Sequence, residues 1–168
     1  MSLRLGMIVS KDCNERILEL LREEYNLKFI HVQNLSFSEQ ISTDEMLIEP
    51  TGLYNDSKTG IGSFDLYNVD INALKEQYKD DSYAYHVVLD EYLERRDSYR
   101  KDAIKWLNII KVMKQKYLIA KVGLFYFDGY DTTEKVNFPK FSRRHYVLNE
   151  IDEFSLMKIG EKEIAFFV

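Results

Sequence analysis

Ten positions constrain this chain more than any others. Tyr85, Leu89, Tyr92, Arg96, Tyr99, Ala103, Trp106, Ile110, Met113 and Tyr117 follow one another at alternating spacings of four and three, and only Arg96 among them is polar. That period belongs to an α-helix with one apolar side. Neither Gly nor Pro interrupts residues 80 to 122, so the stripe fits a single helix of about 50 Å at 1.5 Å per residue. It fits equally well two helices broken at Asp97-Ser98, with Ser98 capping the second. We read the stripe as interior scaffolding laid on the chain's own sheet. A seam of nearly five heptads is also compatible with pairing to a second copy, so a homodimer is the alternative.

The segments around the stripe read as strands. Leu3 to Val9 is extended, and a helix runs from about Asp12 to Tyr25 with Cys13, Ile17, Leu20 and Leu21 on one side and Asp12/Glu15 as a capping box. Leu27 to Val32 is a second strand, giving a β-α-β opening whose strands are parallel if the helix makes the crossover, or else are not neighbours. Gln33 to Thr43 reads as a loop. Glu45 to Ile48 and Ile61 to Val69 look like a long-looped antiparallel pair, and Asp70 caps a short helix carrying Ile71, Leu74 and Tyr78. Tyr117 to Phe127 is apolar on both alternating faces, as expected of a central strand. Asp128-Gly129 marks a turn, and Val136 to Leu148 holds one or two strands, with Pro139 indicating an edge or bulge. Phe154 to Ile159 is expected to pair with Glu163 to Phe167 across Gly160-Glu161. The expected class is α+β: one domain over residues 1–168, with a mixed or antiparallel sheet and a β-α-β opening, packed on a long helix or a helix pair over 82–117. A length of 168 residues with 45% apolar and 30% charged content suits one folded core.

No stretch approaches the roughly 20 apolar residues of a membrane span, and Met1 to Ser10 has no secretory signal character. Cys13 is the sole cysteine, so no internal disulfide can form and a cytoplasmic protein is expected. The abundance of Lys, Ile, Asn, Tyr and Phe suits AT-rich coding and a bacterial host. The net charge of −5 is unevenly placed. Residues 1–93 hold 8 Lys and Arg against 17 Asp and Glu, whereas 94–168 hold 15 against 11. Either the halves neutralise each other on folding, or one of them faces a charged partner.

Motifs for chemistry are sparse. Val9-Ser10-Lys11-Asp12-Cys13 at the first β-α junction has no glycine through which backbone could approach a pyrophosphate, and no Walker-type loop occurs, so no cofactor is implied. Cys13 lies in phase with Ile17 and Leu20 beside two carboxylates, which suits a buried small hydrophobe better than a nucleophile. His31, His86 and His145 are too far apart for a local metal motif. His86, Asp90 and Glu94 share one helical face, where a solvated surface is the reading favoured over a cation site. Asp128, Asp131 and Glu134 read as a hairpin turn in preference to a calcium loop. Cations are concentrated between Arg95 and Lys121, notably Arg95, Arg96, Arg100, Lys101 and Lys105, and again at Lys140, Arg143 and Arg144 among Phe138, Phe141 and Tyr146.

The function expected first is protein-protein contact by a small non-enzymatic accessory or inhibitory factor, made through the acidic front half or the Tyr-rich helix. The alternative is binding of nucleic acid or another polyanion through 95–121 and 140–145, where cations would release counterions and aromatics would stack on bases. A second alternative is an enzyme or small-ligand binder whose site is assembled from distant residues.

Overall fold

The computed structural model describes residues 3–52, 70–128, 136–160 and 162–168. Its strands are β1 (Leu3–Ser10), β2 (Leu27–His31), β3 (Glu45–Gly52), β4 (Val122–Asp128), β5 (Ser142–Tyr146) and β6 (Glu163–Phe167), joined in one sheet of order β2-β3-β1-β4-β6-β5. Every neighbouring pair is antiparallel except β5 with β6, so the sheet is mixed. Helices α1 (Glu15–Tyr25), α2 (Leu35–Ser38), α3 (Ile71–Gln77), α4 (Ser82–Lys111) and α5 (Glu153–Met157) complete the α+β architecture.

Strand β3 enters between β1 and β2, so the opening β-α-β strands are not neighbours. With α4 connecting β3 to β4, the order β4-β1-β3-β2 is the split β-α-β arrangement, to which β6 and β5 are added at one side. Central position for β4 follows: it is flanked by β1 and β6. It starts at Val122 rather than Tyr117, because α4 runs on through a π-helical turn (Val112–Lys116) capped by Tyr117, after which Leu118 turns the chain at φ 54°.

Pleating divides the core into two layers. Leu5, Met7 and Val9 of β1, Leu124 and Tyr126 of β4, and Ala165 and Phe167 of β6 face α1, α4 and α5. Ile8, Leu47, Phe125, Phe127, Ile164 and Phe166 point the other way, onto Phe37, Phe138 and Phe141. Here rings pack edge to face or offset, with Phe37 5.0 Å from both Phe125 and Phe138 between centroids. Gly6 is required beneath this layer, since a Cβ there would enter the Phe125 ring.

Two irregular segments cover that second face, and side chains pin them together. Asn34 Nδ2 donates to the Val136 carbonyl (2.8 Å), Phe138 N donates to Ser36 Oγ (3.0 Å), and Gln40 accepts from Phe141 N (2.8 Å) while donating to the Pro139 carbonyl (2.9 Å). Of the one or two strands expected over 136–148, one is present, β5. Pro139 lies in the covering segment, where its missing N–H leaves no ladder bond unmade.

Helix α4 is continuous across Asp97-Ser98, where Lys101 bridges back to Asp97 at 3.0 Å one turn away. Asp81 caps its start by accepting from Ala84 N at 2.9 Å. Thirty residues span about 45 Å, against about 27 Å for the eight-residue strands. The stripe is interior where it crosses the sheet, with Ala103, Trp106, Ile110 and Met113 buried, so this half cannot serve as a seam for another chain. Toward the N-terminus only Tyr92 is buried, and residues 82–98 contribute to neither core layer among the described residues.

Three local expectations are corrected. Asn14, not Asp12, caps α1 through Ile17 N (3.1 Å), because Asp12 is taken by Ser10 Oγ and Ala120 N. Residues 153–157 form α5, not a strand, started by a reciprocal cap between Asp152 and Ser155. The loop 33–43 includes α2, capped by Asn34. Asp70 caps α3 as expected, through Asn72 N and Ala73 N. The strand over Ile61 to Val69 and the turn at Asp128-Gly129 with Asp131 and Glu134 fall on or run into residues outside those described.

Candidate functional site

At one end of the sheet, the last residue of β1 meets the first residues of β3 and β4. Ser10 pairs with Glu45, and Val9 with Val122. Glu45 opens an apolar strand, and its side chain is completely buried. Arg143, arriving from the far edge strand, donates through both Nη atoms to the two carboxylate oxygens at 2.8 Å, and Nη2 also donates to the Gln40 carbonyl. Ser42 N (2.9 Å) and Lys121 Nζ (3.2 Å) complete the carboxylate's shell. Such fork-to-fork geometry is the strongest form of ion pair. It draws the Glu45 carboxyl from its ordinary 4.5 down to about 2, against the opposing effect of burial.

Lys121 also bridges to Asp44 at 3.0 Å, and its ammonium is held above the usual range by Asp44 first and Glu45 second. Asp12 ties the same corner together. Burial works against its charge, but hydrogen bonds from Ser10 and Ala120 keep its carboxyl below normal. The acidic front of the chain thus meets the basic back in this cluster, as Glu24 does with Lys116 at 3.6 Å.

Beside the cluster lies an open groove of about 590 Å³, lined by Lys11, His31, Asn34, Phe37, Glu45 and Met46 among others. Its two buried polar side chains are engaged: Asn34 holds Val136 and caps Phe37 N, and Glu45 holds Arg143. What the groove presents to a visitor is an apolar floor with Lys11 and His31 on its walls and Leu35, 91% exposed, at its side.

The cations singled out by sequence do not come together. Arg95, Arg96, Arg100, Lys101 and Lys105 are on α4, over the helical face, whereas Lys140 and Arg143 accompany the phenylalanine layer on the opposite face. Arg100 reaches Glu153 on α5 at 3.1 Å and stacks over Phe154, Lys101 meets Asp97, and Arg143 is committed to Glu45. Arg144 lies 3.8 Å from Glu163 and stacks over Tyr146. Arg95, Lys105 and Lys140 are exposed.

Cys13 is buried, and desolvation, with Asp12 and Glu15 nearby, pushes its thiol up to about 12. His86, Asp90 and Glu94 are exposed on α4, and no group of three metal-ligating side chains occurs among the described residues. No helix among the described residues is long and apolar enough to cross a membrane.

Sequence reading named the Tyr-rich helix as a contact surface but not the apolar residues on its outward face. Tyr83 is 81% exposed, and Val87, Leu93 and Ile104 are also open to solvent. Around them charge is segregated along the axis. Asp80, Asp81, Asp90, Glu91 and Glu94 precede Arg95 with no Lys or Arg among them, while Arg95, Arg96, Arg100, Lys101, Lys105 and Lys111 outnumber Asp97 and Asp102 beyond it. No protein-family model, curated protein or solved structure matches this chain.

Proposed function

We propose that this protein acts by protein-protein contact, with the N-terminal half of α4 as the contact element. The observation that carries this reading is the length of α4 beyond the sheet. Among the described residues, 82–98 enter neither core layer and bury only Tyr92, yet they display Tyr83, Val87 and Leu93 on a folded, capped helix. Exposed aromatic and aliphatic groups on a rigid element are what interface centres are built from. The acidic residues among them select a partner that presents cations around an apolar strip, by electrostatic complementarity. A cytoplasmic accessory or inhibitory role suits such a surface.

The experiment is site-specific photocrosslinking from position 83, with position 140 on the opposite face as control. A discrete protein adduct from 83, lost when Val87→Asp is added and absent from 140, is the expected result. Equal labelling from both positions, or none from 83, overturns the reading.

A further inference from the structure

The surface that this contact element requires is present in the chain itself. Asp90, Glu94, Lys101 and Lys105 are spaced by four, seven and four, and at 100° per residue they fall within one narrow strip of α4. All four are exposed. Leu93 and Ile104 flank the strip on one side and are also open to solvent. The acidic pair lies on the N-terminal side of the strip and the basic pair on the C-terminal side.

We propose that two copies of this protein associate through their α4 helices, antiparallel, about a two-fold axis passing between Asp97 and Ser98. This rests on the reading of α4 as a contact element and names its occupant. In that register Asp90 faces Lys105 of the second copy and Glu94 faces Lys101, and the two-fold repeats both pairs. Leu93 and Ile104 then meet across the axis. A parallel pairing would instead set Asp90 on Asp90 and Lys101 on Lys101, so charge fixes the orientation. The buried half of the stripe stays within each protomer, because the contacting strip lies on the opposite side of the helix from Ala103 and Ile110. The interface is isologous, as two-fold symmetry demands, and closes at the dimer.

A single helix pair buries less surface than a permanent dimer, so the association is weak and its ion pairs, being exposed, are screened by salt. Sedimentation equilibrium of the full chain at low ionic strength is expected to show a concentration-dependent dimer, weakening by about tenfold or more at high salt. Two charge-reversal variants test the register, Asp90→Lys with Glu94→Lys, and Lys101→Glu with Lys105→Glu. Each alone is expected to be monomeric and folded, the second with a slightly lowered unfolding transition because it loses the Lys101–Asp97 pair, and an equimolar mixture of the two is expected to recover the dimer. A wild type that stays monomeric at low salt, variants that dimerise like wild type, or a mixture that stays monomeric each overturns the proposal. Adduct formation at position 83 with a different protein, in a chain that sediments as a monomer, would remove this proposal while leaving the contact reading intact.

Discussion

Removing the Arg143 guanidinium should weaken the fold, and the loss should depend on pH in a way that identifies its cause. The Glu45 side chain is fully buried while that of Arg143 is 35% exposed, so Arg143→Ala leaves an enclosed carboxylate that still accepts from Ser42 N and Lys121 Nζ. A carboxyl moved from 4.5 to about 2 corresponds to about 3 kcal/mol of stability. Solvent around Arg143 and the persistence of Lys121 reduce the share lost in the variant to about 2 kcal/mol. In a chain of this size that lowers the melting temperature by about 4–8 °C. The folded value lies below the unfolded one, so this stabilisation is complete above pH 4.5, shrinks as pH falls toward 2, and is absent below. Urea titrations followed by the fluorescence of Trp106, the sole and buried tryptophan, should show wild type and variant differing by about 2 kcal/mol at pH 7 and converging near pH 2. A gap under about 0.5 kcal/mol at pH 7, or one that persists undiminished to pH 2, refutes the assignment. The double variant with Glu45→Gln should recover part of the loss, because no buried charge is then left short of its partner.

Three further outcomes are expected. Gly6→Ala places a methyl group inside the Phe125 ring, and the overpacking should cost about 1–3 kcal/mol in denaturant titration; an unchanged midpoint would mean that the phenylalanine layer yields freely. Tyr92 is buried with no hydrogen-bond partner for its hydroxyl among the described residues, so Tyr92→Phe should be neutral or stabilising by up to about 1 kcal/mol, measured the same way. Cys13, with its thiol pushed up to about 12 inside the core, should react with a thiol reagent at pH 8 only at the rate of unfolding and speed up in urea; prompt labelling of the native protein would place it at the surface instead.

The legible parts of this fold were those written within short windows. Helix α4 announced itself because its apolar period runs for thirty residues without Gly or Pro, and nothing at Asp97-Ser98 removes a backbone hydrogen bond. Strand β4 was legible as central because both of its faces are apolar, although Tyr117 proved to cap the preceding helical turn and the strand begins only at Val122. Pairing was not legible. The insertion of β3 between β1 and β2, and the attachment of β6 to β4 rather than to residues 154–159, depend on contacts between distant segments. Residues 154–159 misled because a half-buried single-turn helix and a short strand leave the same apolar marks; the Asp152/Ser155 spacing was the available counter-signal. Glu45 could not be recognised as a hub, since its partner Arg143 lies 98 residues away. Arg143 in turn was assigned to a polyanion surface because a cation among aromatics reads alike whether it faces solvent or a buried carboxylate.

The same limitation accounts for α4. Grouped by sequence, its cations join those at 140–145 into one basic region, but the sheet lies between them and both Lys140 and Arg143, and Arg100 and Arg143 are already occupied. What remains on α4 is a helix with opposite charges at its two ends and apolar groups along the exposed face. A crossover helix spanning an eight-residue strand needs about 18 residues, and α4 has thirty. Among the described residues the surplus turns bury Tyr92 alone and enter neither core layer, and a solvated helix of that length is marginal without packing. Its capped start and exposed Tyr83 and Val87 go beyond the requirements of the sheet beneath, and this is the support for the proposed contact with another chain.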